Sequence, residues 1–104
     1  MRTESEELEA VVRLWEAHLQ ADFPEHLRGV DLLGIDMVML DADLAGCVST
    51  WLGNRGSLDG RRQRTLTTRR IADLDRVLPI LVGHQERAYY GRLRAIAVAT
   101  FDMS

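Results

Sequence analysis

Residues 35–53 read IDMVMLDADLAGCVSTWLG, and the fold turns on how this stretch is taken. On a helical projection its large residues Met37, Leu44, Val48, Trp51 and Leu52 share one broad arc that also takes in Leu40 and Cys47. A helix with so little polar surface is predicted to be the central, most deeply buried one. Asp41 sits inside that arc, flanked by Met37, Leu44 and Val48, so the helix carries a carboxylate toward its neighbours. A buried acid loses its hydration and needs a partner in exchange.

Toward the N-terminus, Thr3 and Glu6 have the spacing of a capping box, and Glu4, Glu6 and Glu7 suit the positive end of a helix dipole. Leu8, Val11, Val12, Trp15 and Leu19 recur at helical spacing, which predicts a helix over about 3–21. Pro24 ends it by withholding a backbone donor and disfavouring helical geometry at Phe23. Asp22-Phe23-Pro24-Glu25 predicts a short helical turn through Arg28. Gly29 and Gly34 bracket VDLL, which reads either as irregular chain or as a stray strand, so 22–35 is expected as an irregular connector.

Toward the C-terminus, Gly53-Asn54-Arg55-Gly56 suits a left-handed helix stop, and Ser57 an N-cap with Asp59 in the turn after it. The third helix, over about 57–82, turns Leu66, Ile71, Leu74, Val77, Leu78 and Leu81 inward with Arg70 among them. Arg70 is therefore the first choice of partner for Asp41, with Tyr90 or Arg92 as alternatives. The competing reading lets each charge reach the nearest edge or bond to backbone and water. Pro79 and Gly83 close that helix. The fourth, over about 84–101, points Tyr89, Leu93, Ile96, Ala97, Thr100 and Phe101 inward, with Gln85, Arg92 and Arg94 toward its edges. The expected architecture is all-α: a compact bundle of four main helices forming a single domain, 1–104.

A chain of 104 residues buries roughly two-thirds of its unfolded surface, enough for one core without staples. With 46% hydrophobic and 28% charged residues it lies far from the composition of disordered chains. No apolar run approaches the roughly 20 residues of a membrane span, and the acidic start MRTESEELEA is unlike a signal peptide, so a cytoplasmic protein is expected. Cys47 is the only cysteine and reads as a small core hydrophobe. All thirteen basic residues are arginine, which reads as codon bias in a GC-rich bacterial genome. Residues 1–43 hold eleven acids against three arginines (net −8), and residues 44–104 five acids against ten arginines (net +5). The two halves attract, either by bringing the first helix beside the arginine-rich third one or by joining one copy of the chain to another.

Each pattern that suggests chemistry meets a plainer reading. The run Arg61-Arg62-Gln63-Arg64 through Arg69-Arg70, preceded by Arg55, suits phosphates. Yet its arginines point several ways, no aromatic residues interleave and the chain is acidic overall, so nucleic acid is not the expected partner. His18, Asp22 and His26 are four apart, as metal ligands on one helix face would be, but Pro24 interrupts the helix. Asp36 and Asp43 would need further ligands from other helices to hold a divalent ion. Ser49, Thr50, Thr65, Thr67 and Thr68 read as helix surface, and Tyr89, Tyr90 and the tryptophans as core.

No catalytic residue, cofactor or metal site is therefore assigned. The function expected is that of a protein-interaction or self-associating, homodimeric domain without catalytic activity, its partner another protein or itself. Val98, off the main stripe of the fourth helix, marks a second apolar surface there. The alternative is a small-molecule-binding or enzymatic bundle with a polar pocket around Asp41, to which Arg70, Tyr90 and Arg92 would contribute.

Overall fold

The computed structural model describes residues 3–54 and 60–103, the side chain of Arg62 excepted. Four helices pack into an all-α globule: α1 (Glu4–Gln20), α2 (Met37–Gly53), α3 (Arg61–Val77) and α4 (His84–Asp102). Thr3 caps α1 by accepting the Glu6 N–H at 3.2 Å, and Asp36 caps α2 by accepting that of Met39 at 3.0 Å. Asp36 is thus a cap outside α2 rather than a residue of its first turn.

Several boundaries differ from expectation. The described part of α3 begins after Gly60, at φ +88°, and the expected start at Ser57 and Asp59 lies outside the described residues. Asn54 caps α2 at φ −102° rather than in left-handed geometry, and Arg55 and Gly56 lie outside the described residues. Helix α3 stops at Val77, and Leu78–Ile80 tightens into a 3-10 turn around Pro79.

The connector is more ordered than its sequence suggested. Glu25–Leu27 form a 3-10 turn, and β1 (Asp31–Leu32) pairs antiparallel with β2 (Ile35–Asp36) in a small hairpin. Leu33 and Gly34 form its two-residue turn, both at positive φ (+54° and +79°), the conformation that matches the twist of a hairpin. Ile35 and Leu27 are buried and tie the connector to the core.

Helix α4, not α2, is the common support: α1, α2 and α3 all pack against it, and α2 packs chiefly against α3 and α4. The expected arc of α2 is buried as read, from Met37 and Leu40 to Val48 and Trp51. On α4, Tyr90, Leu93 and Ile96 are fully enclosed. The buried edge of α1 is Val11 and His18, with Leu14 and Trp15 partly covered, whereas Leu8 and Leu19 lie exposed. The stripe is rotated because α1 leans chiefly on α4, meeting α2 through Val11 near Val48 and Trp51 and through His18 at Asp41. Thr67 is buried rather than on the surface, its hydroxyl donating to the Gln63 carbonyl at 2.9 Å.

Candidate functional site

Asp41 faces α1 and α4. Its Oδ1 meets His18 Nε2 at 3.0 Å, and its Oδ2 accepts from the Tyr89 hydroxyl at 2.8 Å. Helix α1 brings His18 there because Val11, Leu14, Trp15 and His18 follow one face at helical spacing. The imidazole lies 4.5 Å from the Tyr89 ring centre and stacks on Trp15 at 6.0 Å, while Phe23 meets Tyr89 edge-on at 5.5 Å. Burial first, and then the Asp41 carboxylate, push the Tyr89 hydroxyl well above the ordinary tyrosine value, so it stays a donor.

The expected Asp41–Arg70 pair does not form. Arg70 lies around the bundle, where its Nη2 and Nε meet Asp43 Oδ2 at 2.7 and 2.8 Å and its Nη1 meets Asp73 at 3.0 Å. Burial works against its charge, but Asp43 and Asp73 outweigh that and raise its pKa. Asp43, two positions beyond Asp41, points toward α3, while Asp41 points toward α1 and α4. Nor do the alternatives bond to Asp41: the Tyr90 hydroxyl donates to the Met37 carbonyl at 2.7 Å, and the buried Arg92 Nε has no partner among the described residues. Burial first, then Asp41, raises the Tyr90 pKa as well.

Asp41 opens onto a cleft of about 350 Å³, walled by Val38, Ala42, Ala45, Phe23, Tyr89 and His18. Arg28 stands at its edge, its guanidinium 5.0 Å over the Phe23 ring. The second ring nitrogen of His18, Nδ1, is buried and unpartnered among the described residues, so the imidazole presents no proton-transfer atom to the cleft. The arrangement holds the Asp41 carboxylate at the cleft wall between His18 and Tyr89. Of the other residues spaced as ligands, His18 is held by Asp41 and His26 by Glu86, a buried acid of α4 that the sequence reading passed over. Among the described residues no group of three His, Cys, Asp or Glu is placed to hold a metal ion.

A second surface lies on the outer side of α4. A groove of about 410 Å³ runs between α1 and α4, lined by Ala10, Val11 and Leu14 on one side and Ala95, Val98 and Ala99 on the other, with Glu7, Asp102 and Met103 at one end and Arg94 further along α4. Across Val98 a smaller hollow of about 240 Å³ continues to Thr68 and Ile71 of α3. Beyond it Arg61, Arg64 and Arg69 surround Phe101, with the Arg64 guanidinium 4.9 Å over that ring. An acidic helix end and a basic one therefore flank the apolar centre, and among the described residues no ion pair joins α1 to α3. The expected approach of α1 to the arginines of α3 within one chain does not occur, because α4 lies between them.

The chain matches no protein-family model, and no curated protein or solved structure matches it. No helix among the described residues is long and apolar enough to cross a membrane.

Proposed function

We propose that this protein is a non-catalytic protein-interaction domain that works by self-association, through the face that α4 shares with the flanks of α1 and α3. The supporting observation is the separation of charge: the acidic start of α1 and the arginines of α3 border one apolar surface without meeting inside the chain. Opposite charges around an apolar centre are what a self-complementary interface needs, the centre supplying affinity and the rim steering and register. A cytoplasmic setting is part of the reading; the lone, buried Cys47 suits it, as nothing here depends on a disulfide.

Light scattering tests the proposal. The mass should be that of a dimer at low salt and should fall toward the monomer near 1 M salt, where screening shortens to about 3 Å. Val98→Arg, which places a charge in the apolar centre, should give a folded monomer whose melting temperature no longer depends on protein concentration, as the parent's should. A parent chain that stays monomeric at every salt and protein concentration would sink the idea.

The cleft at Asp41 favours a second reading, a small-molecule site in which the fixed carboxylate receives a hydrogen-bond donor from the ligand. A fragment screen read by NMR would then move resonances of His18, Asp41 and Tyr89 together, and Asp41→Asn would abolish those shifts. Fragments that leave these three residues unmoved rule it out.

A further inference from the structure

The three helices of the α4 face lie side by side, with α4 in the middle. Helix α1 runs antiparallel to α4, since Glu7 lines the same groove as Met103 while His18 touches Tyr89. Helix α3 is antiparallel to α4 as well, since Arg64 covers Phe101 and Asp75 pairs with Arg94 at 2.6 Å. The acidic start of α1 and the basic start of α3 consequently fall at the same end of the layer, on opposite flanks of the α4 C-terminus.

From this layout we infer how a second copy docks: the two-fold axis runs along α4, so that the two α4 helices meet in parallel and the acidic flank of each copy covers the basic flank of the other. The inference rests on the self-association proposed above and adds its geometry. A rotation about an axis along α4 exchanges left and right without exchanging ends, which carries Glu7 of one copy over the arginines around Phe101 of the other. A two-fold axis across α4 instead sends the charged ends to opposite ends of the dimer, and neither flank finds its complement. An isologous interface must satisfy both copies with one set of contacts, and only the parallel arrangement does so with opposite charges. Asp102, on the same outer side, meets its own copy across the axis, between the arginines of the two flanks.

Disulfide trapping distinguishes the arrangements. In the parallel dimer each residue on the outer side of α4 meets its own copy, so Ala95→Cys alone and Asp102→Cys alone should each give a covalent dimer under mild oxidation. The parent, whose Cys47 is buried, should not. If covalent dimer forms only when the two variants are mixed, the helices are antiparallel and the inference is overturned while self-association stands. If the parent is a dimer by light scattering but neither variant crosslinks, alone or mixed, the face itself is wrong. A parent of monomer mass overturns the proposed function with it. Charge reversal gives an independent reading: Glu7→Arg should weaken dimerisation about tenfold, and adding Arg64→Glu in the same chain should restore it. Equal weakening in the single and double variants would show that these flanks do not meet.

Discussion

At the scale of single residues, the fate of Asp41 is decided by where two neighbours stand. A half-buried carboxylate takes the nearest donors that can align, and these are His18 and Tyr89 rather than an arginine. Double-mutant cycles should reflect this. Asp41→Asn and Tyr89→Phe are expected to couple by about 1 kcal/mol, whereas Asp41→Asn and Arg70→Met should add within about 0.5 kcal/mol. Strong coupling in the second pair would contradict the geometry. The tyrosines also set an alkaline limit. Tyr89 and Tyr90 ionise above their ordinary value of 10.0 in the folded chain, because burial and then Asp41 oppose the phenolate. The unfolded chain ionises near 10 while the folded chain does not, so the stability tied to these groups is intact below about pH 10 and is lost as pH rises past it. Denaturation curves at pH 8 and pH 11 should show this loss, and it should shrink in Tyr89→Phe. A loss unchanged by that substitution would place its origin elsewhere.

Among the elements, α4 bears most because α1, α2 and α3 all pack extensively against it, whereas α1 meets α2 at fewer places. Ile96, fully buried where α1, α2 and α4 meet, should cost about 2–5 kcal/mol when replaced by alanine. Leu19, 64% exposed on α1, should change stability by less than about 0.5 kcal/mol in the same replacement. Comparable losses at both positions would mean that α1 packs on a different face. The hairpin carries a local cost at Leu33, an exposed non-glycine residue at positive φ. Leu33→Gly is expected to raise the urea midpoint by an amount equivalent to about 1 kcal/mol, and a lowered midpoint would show that the leucine side chain contributes there.

For the whole molecule, the layout of charge matters more than its total. A net charge of −3 describes a protein with little field, yet eleven acids gather in the first 43 residues and ten arginines in the rest. Asp43 pairs with Arg70, but the acids of α1 and the arginines of α3 form no ion pair with each other among the described residues, so an acidic flank and a basic flank border one face. The proposed dimer should accordingly dissociate with added salt, about tenfold or more between 0.05 and 0.5 M, as screening removes the attraction between flanks. Sedimentation equilibrium across that range would read it, and a salt-independent constant would mean that the apolar contact acts alone.

Local sequence determined the helices and most of their inward faces. Periodicity, caps and prolines act over a few residues, so the buried arc of residues 35–53, the cap at Thr3 and the break at Pro24 were all legible along the chain. His18 was legible in principle, seven residues from Val11 on one face, but its partner was not. Which acid meets which base depends on the rotation of each helix about its axis and on which helices are neighbours. Asp41 and Asp43 lie about 200° apart on α2, and the packing of α1 and α4 on one side and α3 on the other gave them different partners. The same packing made α4 rather than α2 the support of the bundle and left the charged flanks apart, because contacts between distant segments are set by how whole faces fit together.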